Sequence, residues 1–75
     1  MRIYYDEEGD YLTIFVGSSK PNYGEKIDED ITLFKDEETN EIIGVGILNF
    51  REKAKFLKDM ELKLPFKINF SSLKV

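Results

Sequence analysis

Four short runs of β-branched and aromatic residues constrain this chain most: Ile3-Tyr4-Tyr5, Tyr11-Leu12-Thr13-Ile14-Phe15-Val16, Ile31-Thr32-Leu33-Phe34 and Glu41-Ile42-Ile43-Gly44-Val45-Gly46-Ile47-Leu48. Runs of this kind pack well on a pleated surface and read as strands. Asp6-Glu7-Glu8-Gly9-Asp10 separates the first two, and Asp36-Glu37-Glu38-Thr39-Asn40 lies between the last two. Both are turn compositions, so the expectation is two antiparallel hairpins. Alternation places Leu12, Ile14 and Val16 on one face of the second strand and Tyr11, Thr13 and Phe15 on the other, so that both faces are largely apolar. In the last strand Ile43, Val45 and Ile47 share a face opposite Gly44 and Gly46. Two glycines at i and i+2 flatten that face and mark the close approach of another element, for which a packed helix is the expected occupant.

Between the hairpins, Gly17-Ser18-Ser19-Lys20-Pro21-Asn22-Tyr23-Gly24 is rich in breakers and reads as an irregular loop. Its first residues superficially resemble a phosphate loop, but the Walker spacing is missing and Pro21 follows instead of a helix start, so it reads as a turn. Asn49-Phe50-Arg51-Glu52 has the form of a capping box, with Asn49 as N-cap of a short helix that buries Phe50, Ala54 and Leu57. Beyond it Leu62, Leu64, Phe66, Ile68 and Phe70 alternate with Lys63, Pro65, Lys67 and Asn69, an extended pattern with one dry face. Pro65 lacks an amide proton, so this segment is expected at a sheet edge or against a partner.

The expected fold class is therefore α+β: a small antiparallel β-meander of about four strands, built as two consecutive hairpins and packed with one short C-terminal helix and an extended tail. At 75 residues the chain has room for one domain. Residues 1–49 are expected to form its β-meander, and 50–75 the short helix and extended C-terminal segment of the same unit.

The chain has no Cys, His or Trp. That removes thiol nucleophiles, imidazole bases, disulfides and the usual zinc ligands. A non-enzyme with no cofactor is the expectation. The opening residues are too polar for a signal peptide, and no apolar run reaches the roughly 18 residues a membrane helix requires, so a cytoplasmic protein without membrane contact is expected.

Charge is unevenly placed. The first 49 residues hold Asp6, Glu7, Glu8, Asp10, Glu25, Asp28, Glu29, Asp30, Asp36, Glu37, Glu38 and Glu41, whereas Arg51, Lys53, Lys55, Lys58, Lys63, Lys67 and Lys74 crowd the remainder. None of the acid clusters has the ligand spacing of a calcium loop, and turns are where solvated acids belong. Tyr4, Tyr5, Tyr11 and Tyr23 on an acidic sheet lack the accompanying bases of a nucleic-acid platform, so no nucleic-acid partner is expected.

From Tyr5-Asp6-Glu7-Glu8-Gly9-Asp10-Tyr11-Leu12-Thr13-Ile14, through Asp28-Glu29-Asp30-Ile31, to Ile42-Ile43-Gly44-Val45-Gly46-Ile47-Leu48, the sequence resembles the small prokaryotic YuzE-like family of unknown function. The likeness spans about residues 3–49, with Gly9, Thr13 and Gly46 standing where that family typically has Ala, Tyr and Glu. The resemblance implies a compact β-meander with a helix, no established enzymatic activity, and a frequent place beside toxin-like genes.

The leading expectation is a small non-catalytic protein-interaction module, an antitoxin-like or accessory partner of a basic, toxin-like protein. Its contact residues are Asp6, Glu8, Asp10, Asp36 and Glu37 on the turns and Leu64, Phe66 and Ile68 on the tail. The alternative is a homodimer with a structural or small-ligand-binding role, suggested by the two-sided apolar strands.

Overall fold

A computed structural model of the chain describes residues 1–53. Within them lie strands β1 (Arg2–Asp6), β2 (Tyr11–Phe15), β3 (Asn22–Lys26), β4 (Ile31–Asp36) and β5 (Ile42–Leu48), followed by a short helix α1 (Phe50–Lys53). All pairings are antiparallel, in the order β1-β2-β5-β4-β3. The sheet thus has five strands where four were expected. The additional one occupies the end of the expected loop: Asn22-Tyr23-Gly24-Glu25-Lys26 is exposed throughout and carries no apolar alternation, and its pairing with β4 makes it a strand. Nor is the sheet a sequential meander, because β5 returns to the centre and pairs with β2, joining the first hairpin to the β3-β4-β5 unit. The expected helix stripe residues Ala54 and Leu57, and the tail 62–70, lie outside the described residues.

One face of the sheet holds the core. Leu12, Ile14, Ile31, Val45, Ile47 and Phe50 form a single fully buried cluster, with Tyr5 and Leu33 packed against it. Register produces this face: Leu12 lies opposite Ile47, Ile14 opposite Val45, Ile31 opposite Ile47 and Leu33 opposite Val45. Burying each such side chain contributes about 1.5–3 kcal/mol, which makes this cluster the main source of cohesion.

The other face is built from aromatics lying on glycines. A Cβ placed on Gly44 would fall 2.7 Å from the Ile14 carbonyl oxygen and 2.7 Å from the Phe15 ring. On Gly46 it would meet the Tyr11 hydroxyl, with the Tyr11 Cζ at 2.8 Å and the Phe34 ring at 3.2 Å. Phe15 and Phe34 pack together above the trench at 5.1 Å between centroids. The glycines do mark a close approach, but its occupants are Tyr11, Phe15 and Phe34 of the flanking strands. The start of the helix lies on the opposite face, where Phe50 enters the core. Aromatic side chains two residues apart on neighbouring strands can cover a glycine more closely than a helix backbone can.

Two substitutions separate these contacts. Gly44→Ala must displace strand backbone and is expected to destabilise by about 1–3 kcal/mol. Gly46→Ala collides chiefly with a side chain, so the second change Tyr11→Ala should recover part of its loss, whereas the same change should not rescue Gly44→Ala. Urea denaturation of the single and double variants checks this. Phe50→Ala should cost about 3–5 kcal/mol by the same measurement.

Candidate functional site

Topology sorts the connections into two ends. The β1–β2 turn, the β3–β4 turn and the start of α1 share one end. The β2–β3 connection and the β4–β5 turn share the other.

At the first end each hairpin turn opens on an aspartate that bonds the amide two residues ahead: Glu8 N donates to Asp6 Oδ1 at 3.1 Å, and Asp30 N to Asp28 Oδ1 at 2.8 Å. These are Asx turns, which is why Asp begins them. Asp10 does something different. Its carboxylate accepts the Tyr5 hydroxyl at 2.6 Å and the Arg51 amide at 3.2 Å, and its backbone carbonyl accepts the Phe50 amide at 3.1 Å. Asn49 holds the N-cap position only by its carbonyl, which accepts from Lys53 N at 3.0 Å. Its φ is 57° and its side-chain amide turns to donate to Asp30 at 3.1 Å. The acceptor expected from Asn49 thus comes from Asp10, from a distant turn, and satisfies an amide that the helix leaves open. Lys53 pairs with Asp30 at 3.4 Å, and the Arg51 guanidinium lies 5.8 Å from the Tyr5 ring centroid. Donation to Asp10 raises the pKa of the Tyr5 hydroxyl.

Of the candidate contact residues, then, Asp6 and Asp10 are engaged in holding the turn and the helix start, while Glu8 is exposed. Glu7, Asp28 and Glu29 stand exposed at the same end. Asp36 and Glu37 lie at the opposite end, so the structure does not bring the five turn acids together. Leu64, Phe66 and Ile68 lie outside the described residues.

Asp36 is the buried acid of the described residues, only 5% exposed. It opens the third Asx turn, accepting Glu38 N at 2.8 Å, and it faces the Lys20 ammonium at 3.7 Å. The Glu38 amide, then the Thr39 amide and Lys20, hold its carboxyl below the ordinary carboxylate range against the opposing effect of burial. Glu37 is exposed, and its amide donates to the Pro21 carbonyl at 3.1 Å, tying the β2–β3 connection to this turn.

That connection closes a small depression that sequence reading passed over. Arg2 is the cross-strand partner of Phe15, and its guanidinium lies 5.4 Å from that ring's centroid. Its Nη1 donates to Ser19 Oγ at 2.6 Å, while its Nε is shielded from solvent with no acceptor among the described residues. A shielded donor left unmatched costs about 1–3 kcal/mol, so this arginine is held by packing. Arg2, Tyr4, Phe15, Ser19, Lys20 and Asn22 line a cavity of about 140 Å³. The sequence signal was there in the alternation, which sets Arg2, Tyr4 and Phe15 on one face. What joins them to Ser19 is a loop path that spacing does not encode.

Among the described residues no group of three or more carboxylates converges to hold a cation, and no helix is long and apolar enough to cross a membrane.

Residues 2–51 match the family described as a protein of unknown function, DUF2283, and the chain belongs to that family. The matched span begins at β1 and ends at the first turn of α1, so it takes in every strand of the described residues and the Asp10 contacts. No curated protein and no solved structure matches the chain.

Asp36 gives a pH test. Its folded pKa lies below the unfolded value of about 3.9, so its contribution is complete above that value and is lost as pH falls through the folded pKa. Asp36→Asn keeps a turn acceptor but removes the charge. Urea midpoints at pH 6 and pH 3 should therefore lie closer together in the variant than in the parent chain.

Proposed function

We propose that this chain is a small non-catalytic interaction module that binds a basic protein through the acidic end of its sheet. The observation that supports this reading is the pairing order, which puts the β1–β2 and β3–β4 turns at one end and leaves Glu7, Glu8 and Glu29 exposed there, beyond the aspartates that build the turns. Exposed carboxylates on rigid turns steer a cationic partner and set its orientation more than they add raw affinity. The likeness to YuzE-like sequences carries the proposal one step further, to an antitoxin-like or accessory role beside a toxin-like basic protein in the cytoplasm. The partner needs neither nucleic acid nor membrane for this recognition.

A second reading, a homodimer with a structural role, draws on Ile3 and Tyr4 of the edge strand β1, which are 45% and 57% exposed. Sedimentation separates the two: a monomer at micromolar concentration removes the homodimer.

The leading reading is tested by co-purifying the chain with the product of its neighbouring gene. The complex is expected to weaken roughly tenfold or more between low and physiological salt. It should weaken similarly when Glu7, Glu8 and Glu29 are all replaced by Lys. A complex indifferent to both changes, or none at micromolar concentration, refutes it.

A further inference from the structure

The chain carries a net charge of −4, with 15 acids against 11 bases, yet among the described residues Arg2 has no carboxylate partner. Its guanidinium is nonetheless fixed in place, resting near the Phe15 ring and donating to the Ser19 hydroxyl. A guanidinium has five N–H donors in a rigid fork that matches a carboxylate or phosphate. One bond to a neutral hydroxyl leaves most of that capacity unused.

The surroundings are built the same way. Lys20 brings a second cation to the cavity wall, and Asn22 donates its amide to the Lys20 carbonyl at 2.9 Å, which fixes the loop backbone there. The Glu37 amide on the Pro21 carbonyl and the Lys20–Asp36 pair pin the same connection from the other side. Tyr4, two residues along from Arg2 on the same face of β1, and Phe15 supply flat apolar walls. Among the described residues no acidic side chain lines the cavity. Its volume is about 140 Å³, and it opens to solvent.

We propose that the Arg2–Ser19–Lys20 depression is a binding site for a small organic anion, whose carboxylate or phosphate group lies on Arg2 and Ser19 and whose body lies against Tyr4. Side-chain donors do the recognition, unlike the backbone cradle of a phosphate loop, and β3 rather than a helix follows the connection. The site lies at the end of the sheet away from the exposed turn acids Glu7, Glu8 and Glu29, so it stands or falls separately from the partner proposed above.

The test is a titration followed by amide NMR shifts, using benzoate, phenyl phosphate and inorganic phosphate at constant ionic strength, with chloride as the reference. Saturable shifts confined to Arg2, Tyr4, Ser19, Lys20 and Asn22 are expected with at least one of the organic anions. Saturation by benzoate alone assigns a carboxylate ligand, by phenyl phosphate alone a phosphate, and by both the shared anion chemistry. In Arg2→Gln the apparent Kd should rise about tenfold or more. If that variant loses its dispersed spectrum, Arg2→Lys carries the test, because it keeps the charge and the stem while losing the fork, and it too should bind more weakly. Shifts that match those in chloride, that spread over the surface lysines, that arise with inorganic phosphate alone, or that persist unchanged in the variants overturn the proposal.

Discussion

The pairing of β2 with β5 is the contact on which the rest of the structure depends. Each of the other strand pairs joins neighbours in sequence through a turn, whereas this pair joins two units that are separated by β3 and β4. Its register sets Leu12 against Ile47 and Ile14 against Val45 on one face, and Thr13 against Gly46 and Phe15 against Gly44 on the other. A slip of one residue would turn the core set outward and drive the aromatics into the positions the glycines vacate. The glycines therefore also specify register: only where they stand can Phe15, Tyr11 and Phe34 lie flat over the central strand.

Asp10 locks the same arrangement from the end. Its carboxylate joins the edge strand, through Tyr5, to the first turn of α1, through Arg51, and its carbonyl holds the amide of Phe50. Phe50 is thereby delivered to the core formed by β2, β4 and β5, and its ring meets Tyr5 edge-on at 6.2 Å. Loss of the β2–β5 pairing would remove both the surface that receives Phe50 and the alignment of the turn that holds it.

Strands β1, β2, β4 and β5 were legible because each is rich in β-branched or aromatic residues, and in β2 burial of one face adds an alternation that leaves its mark in sequence. β3 was not legible for the converse reason. Asn22-Tyr23-Gly24-Glu25-Lys26 faces solvent along its length, so no apolar pattern is required of it. The Glu25–Lys35 pair at 2.8 Å and the Tyr23 hydroxyl on Asn40 at 2.7 Å, which tie it to β4 and the next turn, are not signalled by local spacing. The glycine pair announced a close approach without naming its occupant, since a helix and three aromatic rings make the same demand for a missing Cβ. Asn49 had the residue type and spacing of a cap, but a carboxylate from another turn competes better for a helix amide than a neutral side-chain amide does, and the topology puts that carboxylate within reach.

The turn acids were legible as turn residues and only half legible as a surface. A sequence shows Asp6-Glu7-Glu8, Asp28-Glu29-Asp30 and Asp36-Glu37-Glu38 as three similar clusters. In each, the first aspartate is consumed in closing the turn, bonding the amide two residues on. The glutamates that follow are exposed. Strand order then decides which clusters can act together, and it divides them: two at the end that carries α1, one at the end that carries Lys20 and Arg2. The division has an electrostatic consequence. At the first end Asp10 and Asp30 meet the helix start and Lys53, leaving the exposed glutamates as the outermost charge. At the second, Asp36 is turned inward to its amides and Lys20, which leaves Arg2 as a fixed cation without a carboxylate partner among the described residues. One topological choice, the return of β5 to the centre of the sheet, therefore produces both the packed core and the opposite character of the two ends.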